Sequence, residues 1–441
     1  MTKLANNIVV VGLGVTGLSV VRFLQKNYPE SQIQVIDTRD APAGKDELPA
    51  EVKLHTGGWN LTWLLNADLI ISNPGIALAT PELQQASAKG IPIIGDIELF
   101  ARHVTAPVVG ITGSNGKSTV TSLVGEMAKS AHIDVGVGGN IGVPALDLLA
   151  HDHQLYILEL SSFQLETTSS LKMVAATFLN FSEDHLDRYA GMKEYQSAKL
   201  RIFAHSQLAL VNADDPQTFA LNHQQQVSFG FTNADYCVKF IEGEEWLCAK
   251  GEPVIAAREI CLVGRHNIVN CLAAMALADS ADIARDAQIA AMKSYQGLAH
   301  RCQRVTKFKE VVWVNDSKAT NPASTIAALD GLQLKGKLHL LLGGDGKGAD
   351  FTDLIPVLNK LDVQLYCFGK DAKAVALQAN AIIVADMQQA MQLAANNAKA
   401  GDMVLLSPAC ASLDQFTNFM QRGDIFASFA LGLASEFAHG Y

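Results

Sequence analysis

The chain has 441 residues, 49% of them apolar and 18% charged, and its 34 Lys+Arg against 44 Asp+Glu leave a net charge of −10. That length exceeds what one core usually holds and points to several domains, while the apolar share excludes a disordered polyelectrolyte. The negative balance argues against broad adhesion to nucleic acid or anionic membrane, so a phosphate-bearing ligand must meet local positive sites.

Seven cysteines with no Cys-x-x-Cys spacing fit reduced thiols and a cytoplasmic setting. Gly12, Gly14 and Gly17 interrupt the first apolar run before it could act as a secretory leader. No later run approaches the ~18 residues of a membrane span, so no membrane partner is expected.

Strand-like runs alternate with helical patterns along nearly the whole chain, which predicts an α/β protein of parallel sheets covered by helices. The first block carries IVVVG, a helix over 17–26, QIQVID and LIIS, and reads as a Rossmann-like nucleotide unit over residues 1–94. The second opens with VVGIT, a Gly-Lys-Ser turn and a helix, followed by YILEL and a β-leaning stretch near 227–263. It reads as a P-loop ATPase-like central domain over 95–298. The third, over 299–441, alternates again through VVWVND, LHLLLGG, VQLYCFG, AIIVAD and MVLLSPA, a second Rossmann-like α/β domain.

Gly12-Leu-Gly14-Val-Thr-Gly17 lies between a strand and a helix, and Asp37 ends the next strand, the spacing of a dinucleotide-binding turn. Glycines admit a diphosphate to the backbone and the helix start supplies partial positive charge, but this physics does not specify NAD. Gly113-Ser-Asn-Gly-Lys117-Ser118-Thr119 also joins a strand to a helix. There Lys117 would neutralise β/γ-phosphate charge, and the hydroxyls of Ser118 and Thr119 would face Mg²⁺. The match is imperfect, because Ile111 stands where the usual first glycine falls.

Asn359-Lys-Leu-Asp362 imitates a guanine-reading motif, but it lies too far from the phosphate loop and ends a helical pattern over 351–360, so it reads as a solvated helix end. Glu159 ends YILEL, where a metal-binding carboxylate belongs, and Asn180 to Arg188 gathers carboxylates around His185. Asp316 to Asn321 and Gly343 to Lys347 each sit where a strand should give way to a helix, and Ser412 should open another.

Five separated segments, residues 113–119, 183–189, 264–270, 315–321 and 407–416, stand in the order and context of the bacterial Mur ligases, and the chain resembles that family from Gly12 to about Gly423. The resemblance implies an ATP-dependent amide ligase of peptidoglycan precursor synthesis. Its expected small-molecule substrates are UDP-N-acetylmuramoyl-L-alanine, D-glutamate and ATP, with Mg²⁺ at two sites, and a monomer is expected.

Carried over by residue, Gly14, Val15, Thr16, Asp37, Thr38, Arg39, Ser72, Asn73, Gly75 and Asn140 would meet the UDP-sugar. Gly113, Ser114, Asn115, Gly116, Lys117, Ser118 and Thr119, with Asn270, Arg301 and Asp316, would meet ATP. Ser118, Thr119, Glu159, His185 and an N-carboxylated Lys199 would hold metal. The carbamate turns a cation into an anion, and a plain exposed lysine on a helix over 193–203 is the alternative. Lys318, Thr320, Lys347, Ser412, Leu413 and Phe419 would meet D-glutamate. Lys117, His185, Lys199 and Lys347 are the implied catalytic set, and a hinge is expected near 297–304. The rival readings are a related ligase that adds a different amino acid or a folylpolyglutamate synthetase, an NAD-dependent dehydrogenase, and a non-ligating ATP-driven switch or scaffold.

Overall fold

A computed structural model describes residues 5–182, 188–221, 223–262, 264–330, 332, 334–377 and 380–438, the last four of these by backbone alone. The chain forms two compact units, Met1–Val254 with Asn270–Ala291, and Ile255–Val269 with Met292–Tyr441.

The first unit holds a five-stranded parallel sheet in the order Lys53–Thr56, Gln32–Asp37, Asn7–Val11, Leu69–Ser72, Ile93–Ile94. Val and Ile fill its central strands because both faces are covered, and Ile8 to Val11 are buried. The helix Val15–Asn27 turns Leu18, Val21 and Leu24 inward.

A nine-stranded sheet follows in the order Glu252–Ala256, Glu244–Ala249, Tyr236–Ile241, Gln226–Phe229, Ser206–Asn212, Met173–Phe178, Val108–Thr112, Leu155–Glu159, Val135–Gly139. One hydrophobic core, including Leu18, Phe100, Leu146, Tyr156 and Phe178, runs through both sheets of this unit. Polar ties reinforce it. Asp147 accepts from Ser19 Oγ at 2.6 Å and Arg22 Nη2 at 3.0 Å, and Glu98 accepts from the backbone of Ser169 and Ser170.

The second unit carries a six-stranded sheet in the order Gln303–Phe308, Val311–Asn315, Met403–Leu406, Leu338–Gly343, Val363–Phe368, Ile382–Ile383. Its first strand is antiparallel to the second and was not expected from the sequence. Three two-residue turns reverse the chain in the two larger sheets: Glu242-Gly243, Lys250-Gly251 and Lys309-Glu310, all six residues with positive φ.

Several expected boundaries shift. The helix expected over 193–203 is α-helical over Met192–Leu200 and tightens to a 3₁₀ turn over Arg201–Phe203. The strand Leu338–Gly343 does not lead into a helix. Asp345 instead pairs with Ala411 in an antiparallel bridge, and the pattern over 351–360 divides into a 3₁₀ turn Thr352–Leu354 and a short helix Ile355–Leu358. Ser412 lies in a loop, and the helix begins at Phe419.

Candidate active site

Parallel strands deliver their loops to one edge, and in the first sheet Val11, Ile36 and Ser72 lie in register there. A Cβ at Gly17 would stand 2.2 Å from the Gly12 carbonyl oxygen, so the turn closes this tightly with glycine. Asp37 accepts from Leu13 N–H at 2.7 Å, and from Arg39 Nε at 2.9 Å and Nη2 at 2.7 Å. Those Arg39 bonds, opposed by burial, pull its carboxyl down to about 2. An NAD site would need this carboxylate for the ribose hydroxyls; here its oxygens hold the loop and Arg39. Asn73 Nδ2 donates to the Val11 and Gly12 carbonyls, while Ser72 Oγ and Asn73 Oδ1 are buried without a partner. Gly14, Val15 and Thr16 follow the strand Asn7–Val11, Thr38 follows Gln32–Asp37, and Gly75 follows Leu69–Ser72.

The glycine-rich loop 113–116, the candidate phosphate loop, joins Val108–Thr112 to the helix Lys117–Ser130. Lys117 Nζ bends back to the carbonyls of Gly113 at 2.8 Å and Ser114 at 3.0 Å. The loop is stapled to the segment after Phe178. Ser114 N–H donates to the Asn180 carbonyl, and Asn115 and Asn180 exchange bonds of 2.8 and 3.0 Å. Gly116 lies against Asn270, whose Oδ1 would be 2.6 Å from a Cβ there.

Glu159, 2% exposed, ends Leu155–Glu159 and accepts from Ser118 Oγ and Asn140 Nδ2, each at 2.7 Å. A carboxylate beside phosphate-loop hydroxyls suits Mg²⁺, which is commonly held by one or two carboxylates together with substrate phosphates and water. Thr119 lies next along the same helix. Lys199 is buried rather than an exposed helix lysine; its Nζ donates to the Gly113 carbonyl at 2.8 Å and stands 4.7 Å from the Tyr195 ring centre. His185, with Glu183, Asp184 and Asp187, lies outside the described residues. Among the described residues no cluster of three His, Cys, Asp or Glu forms a ready-made metal cage.

In the second unit Asp316 accepts from Cys302 N–H at 3.1 Å and Ser407 Oγ at 2.8 Å, and burial pushes its carboxyl up to about 6. Lys318 Nζ lies 4.2 Å from the Phe419 ring centre, and desolvation, aided by the charge of Arg301, lowers its ammonium below the ordinary lysine range. Thr320 N–H donates to the Lys318 carbonyl. The Asp345–Ala411 bridge draws the loop of Lys347 toward that of Ser412, and Leu413 beside it is 66% exposed.

Arg422 is the residue that the sequence did not flag. Fully buried, it donates to Ser317 Oγ at 3.0 Å, the Ser317 carbonyl at 2.8 Å and the Cys410 carbonyl at 3.0 Å, and approaches the Gly343 carbonyl at 3.5 Å. One guanidinium thereby holds the loops that carry Lys318, Lys347 and Ser412.

Family models match in succession along the chain: the Mur ligase MurD-like N-terminal domain over 6–95, the Mur ligase middle domain over 111–278 and the Mur ligase glutamate ligase domain over 300–410. The chain belongs to the Mur ligase family. Among Mur ligases of known sequence it is 59% identical over 428 residues to the UDP-N-acetylmuramoylalanine–D-glutamate ligase of Vibrio cholerae serotype O1, covering 96% of this chain and 97% of that one. The enzyme of the same name from Aliivibrio fischeri is 57% identical over 425 residues, with 96% and 97% covered.

Solved Mur ligases share the fold at lower identity. The UDP-N-acetylmuramate–alanine ligase of Thermotoga maritima superposes with a TM-score of 0.57 at 18% identity, covering 97% of this chain and 99% of that one. The MurF ligase of the same organism, solved in complex with ADP, gives 0.58 at 17%, with 97% and 95% covered.

Proposed function

We propose that this Mur ligase joins D-glutamate to the alanyl carboxylate of UDP-N-acetylmuramoyl-L-alanine, converting ATP to ADP and phosphate. The observation that carries the reading is the near full-length identity of 59% to a relative bearing that ligase's name. The two phosphate-compatible loops and their neighbouring side chains are consistent with it. Mur ligases use ATP and Mg²⁺.

A carboxylate is a poor electrophile, so its oxygen first attacks the γ-phosphorus of ATP and ADP departs, leaving an acyl phosphate. Two anions must meet in that step. Lys117 and the N–H groups at the start of Lys117–Ser130 offset their repulsion. Ser118, Thr119 and Glu159, with His185 and a carboxylated Lys199, would hold Mg²⁺ at two sites. Bound there, the ions would neutralise phosphate charge. Asn270, Arg301 and Asp316 complete the proposed nucleotide contacts.

The D-glutamate amine, neutral when it reacts, then attacks the acyl carbon and phosphate leaves. His185 and Lys347 are the proposed polar helpers for proton removal and for the tetrahedral oxyanion. Lys318 and Lys347 supply cations, and Thr320 and Ser412 hydroxyls, for its two carboxylates, with Leu413 and Phe419 beside them. Gly14 to Thr16, Asp37 to Arg39, Ser72, Asn73, Gly75 and Asn140 are assigned to the UDP-sugar.

The domain division 1–94, 95–298 and 299–441 assigns one ligand to each. A cytoplasmic monomer is the expected form, and no described helix is long and apolar enough to cross a membrane. The test is an incubation with ATP, Mg²⁺ and UDP-N-acetylmuramoyl-L-alanine in which the amino acid is varied and the product weighed by mass spectrometry. Only D-glutamate should give an adduct with equimolar phosphate; nucleotide hydrolysis indifferent to both substrates overturns the reading.

A further inference from the structure

We infer that Asn140 is a positioning residue for Glu159, and that its side-chain amide ties the acceptor side of the site to the metal side. This rests on the ligase reading and on Glu159 as a metal-holding carboxylate.

Two neighbouring strand ends are clamped at this point. Val135–Gly139 runs beside Leu155–Glu159, and Gly139 faces Glu159 across the ladder. Asn140 N–H donates to the Glu159 carbonyl at 2.8 Å, while its Nδ2 donates to the Glu159 carboxylate at 2.7 Å. One residue thus grips both the backbone and the side chain of the same glutamate. The approach depends on Gly139, whose φ is +99° and whose Cβ would be 2.4 Å from the Glu159 carbonyl oxygen.

Chemistry fixes the orientation of the amide, since an ionised carboxylate only accepts and the NH₂ end must face it. Ser118 Oγ takes the other oxygen at 2.7 Å. Each carboxylate oxygen therefore has one neutral donor and keeps lone-pair capacity for a cation. Removing such a hydrogen-bonded support typically weakens metal binding by about 10–100-fold.

Glu159 is buried, whereas Asn140 is exposed. The amide spans the distance between a hidden carboxylate and the surface at which an acceptor arrives. An acceptor oxygen that takes the second N–H, or a donor that takes the amide oxygen, orders Asn140 in the pose that already holds Glu159. Each ligand then lowers the ordering that the other requires, so the coupling is positive and reciprocal.

The experiment is calorimetric binding of a non-hydrolysable ATP analogue, AMP-PNP, across a Mg²⁺ series, with and without UDP-N-acetylmuramoyl-L-alanine. Asn140→Ala removes the side-chain bond and retains the backbone one. In the variant the Mg²⁺ midpoint should rise about tenfold or more, with Mg²⁺-free nucleotide affinity unchanged, the control that the phosphate loop is intact. Wild type should show a midpoint lowered at least about threefold by the acceptor, a shift absent from Asn140→Ala.

A variant midpoint equal to wild type overturns the positioning role. A wild-type midpoint indifferent to acceptor overturns the coupling and needs no variant. Wild type that binds no Mg·AMP-PNP overturns the ligase reading itself.

Discussion

The ammonium of Lys199 donates to the carbonyl oxygen of Gly113 at 2.8 Å, tying a buried lysine of one helix to the first residue of the glycine-rich loop before Lys117. A carbamate on Nζ keeps one N–H, so this bond can survive a modification that reverses the charge. Protein exchanged into ¹³C-bicarbonate should show a carbamate carbon by NMR that is missing in Lys199→Ala. Activity should fall in CO₂-free buffer and return with bicarbonate. Full activity without CO₂ and no carbamate signal would remove the carboxylation.

Lys117 places its charge on the Gly113 and Ser114 carbonyls, the floor of the loop. Lys117→Ala should lower turnover by about 10²–10³ with the thermal midpoint nearly unchanged, since preorganised charge acts on the transition state more than on the fold. Near-normal turnover would show that the loop does not carry the phosphate chemistry.

Asp96 is buried with Oδ1 unpartnered, and Gln164 Nε2 reaches its other oxygen at 3.3 Å. Desolvation raises its carboxyl to about 6, above its unfolded value. Its contribution to stability is therefore fully present below the unfolded pKa and is lost as pH rises through about 6. Relative to Asp96→Asn, wild type should lose about 2 kcal/mol between pH 4 and pH 8. Unfolding curves for both proteins at both pH values check this; an equal gap at the two would refute it.

Arg422→Met should destabilise the second unit by about 3 kcal/mol, because carbonyls of Ser317 and Cys410 lose a charged donor in a dry interior. The same variant should raise the KM for D-glutamate while leaving AMP-PNP affinity unaltered. Equal losses for both ligands would mean that Arg422 serves general stability and not these loops.

Local spacing made the two glycine-rich turns legible, because a strand–turn–helix is written in consecutive residues. Glu159 was legible as a strand end. Its grip by Asn140 and Ser118 was not, since those partners come from separate segments, 19 and 41 residues away. The burial of Lys199 follows from where its helix packs, which a helical pattern rich in polar residues does not disclose. Arg422 was invisible for a related reason: its acceptors are mostly backbone carbonyls at 317, 343 and 410, and a carbonyl has no sequence signature. Asp37 ends the strand Gln32–Asp37 as its spacing implied, but the sequence does not disclose that Arg39 donates to both oxygens of its carboxylate. The unexpected strand Gln303–Phe308 lacked the glycine that announces most such reversals.

That reversal sets Lys309 and Glu310 at φ of +49° and +61°, whereas the other two tight turns place glycine second. Side chains in this left-handed region are each disfavoured by roughly 1 kcal/mol. A designer seeking a hardier protein would begin here: glycine in place of Glu310 should relax the bend and raise the melting temperature, at the expense of the exposed pair with Lys307.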